Sequence, residues 1–226
     1  MPGKLRDDIK ELCKNTTLIL LISLMTIRLA VGFARGFFEP LAFYALYPDQ
    51  FFIYTIMNAV FLVLCPIPGY LVLGRLTDRW ERNWTWIRPL IVAISMIWTA
   101  VLYPIMLLGD SFFLSCSMLC IQYLIGEIYM PLSLTMIMNV TSPQVRALQT
   151  GLTFCLSMIG SSLVSVWLGY EKFANGNEDF MSILLWIVTG GCVIWSIMYF
   201  ILCFVYPRDL VRDSDEKSIP LLEKNK

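Results

Sequence analysis

Six long apolar runs constrain this chain more than any other feature. Polar or charged residues separate them, and they cover roughly residues 16–46, 51–74, 87–108, 112–140, 146–169 and 180–206. A run of about 20 apolar residues is long enough for a helix to cross the hydrocarbon core of a bilayer. The backbone finds no water there, and a helix satisfies all of its hydrogen bonds within one segment. The sequence therefore predicts an all-α polytopic membrane protein with six transmembrane helices.

The residue types that support most enzyme and metal chemistry are scarce. Hydrophobic residues make up 58% of the chain, there is no histidine, and the seven cysteines include no Cys-x-x-Cys pair. Zinc and haem sites usually need such residues. We therefore expect no enzyme activity, no metal, no cofactor and no nucleic-acid partner.

The two ends of the chain are polar. Residues 1–15 mix basic and acidic side chains with a few apolar ones, which predicts a cytoplasmic amphipathic lead-in. Residues 207–226 are charged without hydrophobic periodicity, which predicts a disordered cytoplasmic tail. The six-helix bundle then occupies residues 16–206.

The positions of lysine and arginine predict the orientation. Fourteen of the 17 lie in the lead-in, in residues 75–88, at Arg146 or in the tail, whereas the opposite side has Lys172 alone. Cytoplasmic loops carry the excess of these residues, so both termini should face the cytoplasm. Leu221-Leu222 resembles an acidic dileucine sorting signal, but the usual acidic position is occupied by Lys217. Endolysosomal and plasma membranes therefore both stay open.

Four ionisable residues lie within the predicted spans: Arg28, Arg35, Glu39 and Glu127. A charge at the centre of a bilayer costs at least about 2.5–3.5 kcal/mol, so each needs a partner or a water-filled cavity. Arg35 and Glu39 are four residues apart and can pair within one helix, which leaves Arg28 for Glu127 or for a ligand. One hypothesis is two structural ion pairs. The other is a substrate-binding and coupling site, where an arginine binds an anionic group and a glutamate exchanges protons.

Small residues recur at helical spacing in spans one and five. Span one has the Gly-x-x-x-Gly pair Gly32 and Gly36, and span five has Ser157, Ser161, Ser165 and Gly169. Such stripes allow helix backbones to approach closely, so both predict helix packing. For span five, a substrate-lining role is the alternative.

Residues 74–82, GRLTDRWER, follow the second apolar run, and five of the nine are charged. This stretch predicts a tight loop at the water interface. The order Gly-x-Leu-x-Asp-Arg-x-x-Arg resembles the signature loop of the major facilitator superfamily, although Glu81 replaces the family's second glycine. The resemblance implies a conformational latch formed by Gly74, Asp78, Arg79 and Arg82. The alternative is an ordinary positive-inside loop.

Three further stretches resemble Spinster-type facilitators of that superfamily. DDIKELCKNTTLILL is similar to the segment leading into their seventh helix, and Gly126-Glu127 is similar to part of the tenth. VTSPQVRALQTGL is similar to the start of the eleventh. The resemblance implies that the chain is a major-facilitator half-bundle, corresponding to the C-terminal six-helix half of a lipid transporter.

The function implied by this resemblance is that of half, or a fragment, of a secondary transporter. Its substrate would be a lipid-like or amphipathic organic anion of the lysophospholipid or sphingolipid class, often moved with protons. The expected partners are membrane lipid, the substrate, and either a missing N-terminal half or a second copy of the chain. The family's main coupling carboxylate belongs to the first half. The alternative is a non-transporting membrane interaction protein that assembles through its polar and small-residue helix faces.

Overall fold

The computed structural model describes residues 15–141 and 145–223, without the side chains of 173–179 and 211–223. All its regular elements within those ranges are helical, and six spans are long and apolar enough to cross a membrane. They are Thr16–Leu46, Pro48–Glu81, Ile87–Leu108, Phe112–Asn139, Arg146–Lys172 and Phe180–Leu210, here spans one to six. The prediction of an all-α polytopic membrane protein is confirmed. The predicted lead-in, except for Asn15, lies outside the described residues. In the predicted tail, side chains are described only for residues 207–210.

Spans two and four are each divided into two helices, whereas spans five and six both lie within one helical stretch. The helices are α1 Thr16–Leu46, α2 Phe51–Leu64, α3 Pro66–Glu81, α4 Ile87–Leu108, α5 Phe112–Gly126, α6 Tyr129–Asn139 and the helical stretch α7 Arg146–Glu223, with a 3₁₀ turn at Pro48–Gln50. Span two is interrupted at Cys65, because Pro66 and Pro68 have no N–H to continue the hydrogen bonding. Span four is interrupted between Gly126 and Tyr129, at Glu127.

The charged stretch after the second apolar run is helical. Helix α3 continues through Gly74 and Asp78 to Glu81, and the turn to span three occupies residues 82–86. The predicted tight loop over residues 74–82 is therefore wrong for most of its length. Hydropathy marks where the hydrocarbon ends, whereas a helix extends into water as long as its backbone hydrogen bonds continue.

The start of α1 is fixed to the end of span four. Asn15 is the N-cap, and its side chain accepts a hydrogen bond from the backbone N–H of Leu18 at 3.1 Å. The same side chain donates to the carbonyl of Val140 at 3.1 Å. This cap satisfies one of the unpaired N–H groups that every helix start has.

Span five runs alongside span one in the same direction. The Ser157 hydroxyl lies 3.3 Å from that of Thr26, and three turns later Gly169 faces the ring of Phe38. From the first contact to the second, the residue numbers increase along both spans, so the two helices are parallel neighbours.

Span six runs alongside span one in the opposite direction. The Phe180 ring lies 5.4 Å from that of Phe38, and further along span six the indole of Trp195 donates to the carbonyl of Leu24 at 2.6 Å. Span six also contacts span three, where Ser196 donates to the carbonyl of Ala93 at 2.9 Å. Spans five and six are therefore antiparallel to each other.

Spans two and three pack on span four, in the same way that spans five and six pack on span one. The Tyr123 hydroxyl of span four donates to Asn58 of span two at 2.9 Å. Gly126 of span four lies against Thr99 of span three, where a built Cβ would be 2.9 Å from the hydroxyl oxygen. Spans one to three and spans four to six thus make equivalent contacts, each unit packing two of its spans on the first span of the other.

Gly69 gives a test of this packing. A Cβ built at Gly69 would collide with the carbonyl oxygen of Leu124, whereas one built at Gly74 on the same helix meets nothing within 4 Å. We expect Gly69→Ala to lower the free energy of unfolding by about 1–3 kcal/mol, the usual cost of overpacking. Thermal unfolding in detergent measures it, with Gly74→Ala as the matched control. Equal midpoints for the two variants would contradict the close approach of spans two and four.

Candidate functional site

An ion pair joins spans one and four in the interior. The Arg28 Nη2 lies 3.3 Å from the Glu127 Oε1, with side-chain exposures of 2% and 25%. The Arg28 guanidinium also lies over the Tyr129 ring, 4.3 Å from its centroid. Its Nε has no hydrogen-bond partner. The interruption of span four at Glu127 places this carboxylate beside span one.

The predicted pairing within span one is confirmed. Arg35 Nε donates to Glu39 Oε2 at 3.1 Å, and both side chains are buried. The Arg35 guanidinium lies 5.5 Å from the ring centroid of Tyr103 and 5.8 Å from that of Tyr123. Since both charges are removed from water, each depends on the other for compensation.

A cavity of about 230 Å³ lies between spans one, two and four. Its wall combines charged and apolar side chains, among them Arg28, Arg35, Glu127, Leu29, Phe33 and Leu62. The charged residues predicted for the substrate site are thus brought together, with Glu39 behind Arg35. Pockets that bind organic ligands have this mixture of apolar lining and a few polar groups.

The glycine pair of span one lies on the cavity wall. A Cβ built at Gly32 would be 3.2 Å from Nη1 of Arg28, and one built at Gly36 meets nothing within 4 Å. In the described part of the chain, no helix packs against Gly36. The sequence predicted helix packing here, because a small-residue stripe that makes room for a neighbouring helix has the same spacing as one that makes room for a cavity.

The small residues of span five face span one. Ser157 contacts Thr26, Ser161 donates to the carbonyl of Ser157 at 2.8 Å, and Ser165 donates to that of Ser161 at 3.0 Å. The last two hydroxyls are thus engaged with their own helix backbone.

A second charged cluster lies where span two ends and span three begins. Arg88 Nη2 contacts Asp78 Oδ1 at 2.9 Å and Glu81 Oε2 at 2.6 Å. The Asp78 side chain is 69% exposed, whereas that of Arg88 is buried. Arg79 and Arg82 have exposed side chains. Asp78 is therefore a predicted latch residue that belongs to this cluster. The positively charged residue that pairs with it is Arg88.

The cluster continues towards spans four and six. The Tyr206 hydroxyl lies 3.5 Å from Glu81 Oε1, and Asn139 donates to the same hydroxyl at 3.1 Å. Glu81 thus links span two to span six. Gly74 and Asp78 border a cavity of about 190 Å³ beside Arg88.

Sequence reasoning missed Arg88 and the neutral polar side chains of the interior. In the sequence, Arg88 is only one more charge on the predicted cytoplasmic side. Its position in the first turn of span three, next to Pro89, was the available signal. Gln122 and Tyr103 are buried, and their polar side-chain atoms have no hydrogen-bond partner. Neutral residues of this kind leave almost no trace in a hydropathy pattern.

No protein-family model matches the chain, and no curated protein matches it either. The chemistry of the site therefore rests on its own geometry. That geometry combines a buried guanidinium, a partly exposed carboxylate and an apolar lining within one cavity.

Proposed function

We propose that this chain is one six-span half of a major-facilitator-type secondary transporter that moves a lipid-like or amphipathic organic anion. The observation that carries the proposal is the Arg28–Glu127 pair on the wall of the 230 Å³ cavity. A charge pair inside a bilayer is costly, and ionisable residues there commonly mark substrate or ion pathways.

The free hydrogen-bonding capacity of Arg28 favours an anionic ligand. A guanidinium has five N–H donors, and Arg28 makes one long contact with Glu127 while its Nε has no partner. Carboxylates and phosphates match the planar guanidinium and accept two parallel hydrogen bonds. Leu29, Phe33 and Leu62 offer an apolar surface in the same cavity. An amphipathic anion can bind the Arg28 guanidinium through its charged group and contact the apolar side chains through its hydrocarbon part.

The equivalent contacts of spans one to three and spans four to six support the superfamily assignment. Consecutive membrane spans alternate in direction, so spans one and four cross the bilayer in opposite directions. Each half of a major facilitator contains two such three-helix repeats of inverted topology, with the substrate near the midplane. The Arg28–Glu127 pair joins the first spans of the two units.

The orientation and the partner are part of the proposal. The bias of lysine and arginine supports a cytoplasmic position for both termini and, with them, for the Arg88 cluster. A facilitator alternates access by rocking two six-span halves around one site. The partner is therefore either an N-terminal half or a second copy, which would cover the exposed face at Gly36.

The test is flux into proteoliposomes that contain the chain with its partner half. An anionic lysophospholipid is compared with a monoacylglycerol of the same chain length, with and without a pH gradient. We expect uptake of the anionic lipid only. A chain that assembles with its partner but moves neither lipid would favour the alternative, a membrane interaction protein.

Asp78→Asn tests the latch. We expect slower flux with normal insertion, because the substitution weakens the contact between Arg88 and the end of span two. Stability should change by less than about 1 kcal/mol, since an exposed ion pair contributes little. Arg75→Gln on the same helix is the matched control and should transport normally, because Arg75 is exposed and is not one of the predicted latch residues. Unchanged flux in a well-inserted Asp78→Asn variant would remove the latch role.

A further inference from the structure

Two thiols from different spans lie in contact. The Sγ atoms of Cys65 in span two and Cys120 in span four are 3.4 Å apart, although the residues are 55 positions apart in the chain. Both cysteines are free and only partly buried. An S–S bond is about 2.0 Å long, so the two sulfurs need to approach by roughly 1.4 Å to form one.

The thiol pair lies at the interruption of span two. Cys65 separates α2 from α3, and Pro66 and Pro68 weaken the backbone hydrogen bonding immediately after it. One turn further, Gly69 lies against the carbonyl of Leu124. Cys65 therefore occupies the point where the two halves of span two can change their angle, next to a close approach to span four.

We propose that Cys65 and Cys120 form a redox-active dithiol whose oxidation to a disulfide cross-links span two to span four. Leu62 and Tyr123 line the cavity and lie three residues from Cys65 and Cys120 respectively. The disulfide therefore joins two walls of the cavity at the hinge of one of them. Its effect on transport rests on the proposed function, whereas its formation does not.

A hydroperoxide supplies the oxidising power. One thiol loses its proton and its sulfur attacks the terminal peroxide oxygen, so that the O–O bond breaks and a sulfenic acid forms. The leaving oxygen takes up a proton and becomes an alcohol, or water when the oxidant is hydrogen peroxide. The second thiol then attacks the sulfenic sulfur, the S–S bond forms and water leaves. The two thiols together lose two electrons and two protons, and the hydroperoxide gains both. A small-molecule dithiol reverses the reaction by thiol–disulfide exchange.

The native methionines allow the disulfide to be located without altering the chain. Cleavage after methionine with cyanogen bromide places Cys65 alone in fragment 58–96 and Cys120 alone in fragment 119–130, while Cys116 falls in fragment 107–118. Membranes holding the full chain are treated with hydrogen peroxide or tert-butyl hydroperoxide, free thiols are blocked, and the fragments are analysed by mass spectrometry. We expect fragments 58–96 and 119–130 to be linked, and to separate on reduction.

Three variants make the result specific. Cys65→Ser and Cys120→Ser should each abolish the linked species. Cys116→Ser, one turn from Cys120 and buried in the core, should retain it. Unlinked fragments in the oxidised parent chain, or a linked species that survives either of the first two substitutions, would overturn the dithiol.

The effect of the disulfide on transport is tested by measuring flux before and after oxidation. Oxidation should stop transport in the parent chain and in Cys116→Ser, and reduction should restore it, whereas Cys65→Ser should be insensitive to both treatments. A disulfide that forms without affecting flux overturns the cross-link as a restraint on movement. Absence of flux before oxidation, with a disulfide formed as expected, rejects the proposed function and leaves the dithiol established.

Discussion

Arg28→Ala is expected to abolish transport of anionic lipid while the protein still inserts in the membrane. The guanidinium provides the unpaired N–H donors of the cavity, and charged hydrogen bonds contribute about 1.5–3 kcal/mol each. Affinity should therefore fall about tenfold to hundredfold or more. Glu127 is a quarter exposed, so water entering the cavity can solvate the carboxylate that the substitution leaves behind. Binding of anionic lipid and flux are measured on purified protein.

The controls for Arg28 separate a ligand role from a structural one. Arg28→Lys keeps the positive charge but loses the planar guanidinium, which can donate two parallel hydrogen bonds, so it should retain function only partly. If the pair were structural, Arg28→Ala would misfold at a cost of about 3–5 kcal/mol, and Arg28→Ala with Glu127→Ala would recover expression. Normal binding of anionic lipid by a well-expressed Arg28→Ala variant would rule out the ligand role.

Much of this site could be predicted because it depends on charge in an apolar medium. Arg35 and Glu39 are four residues apart on one helix, and their pairing needs no knowledge of the fold. Arg28 and Glu127 are the other two charges within the spans, so their contact is one of the two alternatives that the sequence leaves open. The bounds of spans one and three were predicted correctly because polar residues interrupt the hydropathy on both sides.

The remaining features could not be predicted because they depend on contacts between distant parts of the chain. Cys65 and Cys120 have no relation in sequence, and they meet only because span two packs on span four. Arg88 is one of several arginines near the water interface, and its burial distinguishes it from Arg79. The Gly32 and Gly36 pair has the spacing of a packing motif, whereas the three-dimensional structure shows a cavity there.

The two intramembrane ion pairs differ in the exposure of their acidic partner. Glu127 lines the cavity and is a quarter exposed, while the side chain of Glu39 is only 3% exposed. A group that exchanges partners with a ligand has to be reachable from the cavity. We therefore propose a ligand role for the first pair and a structural role for the second.

Glu39→Ala is therefore expected to destabilise the protein severely. It leaves the Arg35 guanidinium buried beside Tyr103 and Tyr123, whose rings attract a cation but cannot neutralise it. Removing one partner of a buried pair costs about 3–5 kcal/mol, a large part of the stability of most domains. The yield of monodisperse protein in detergent and its unfolding midpoint should both fall sharply. Glu39→Gln keeps an acceptor for Arg35 and should lose less.

The double variant Arg35→Leu with Glu39→Leu decides whether the buried charge causes this loss. Replacing both members of a buried ion pair with apolar residues of similar size is often neutral or stabilising, because neither charge then has to be desolvated. We expect the double variant to recover the yield and the unfolding midpoint, although Glu39→Ala alone does not. A Glu39→Ala variant as stable as the parent chain would contradict the structural role. A double variant that folds well but no longer binds anionic lipid would place Arg35 beside Arg28 in the ligand site.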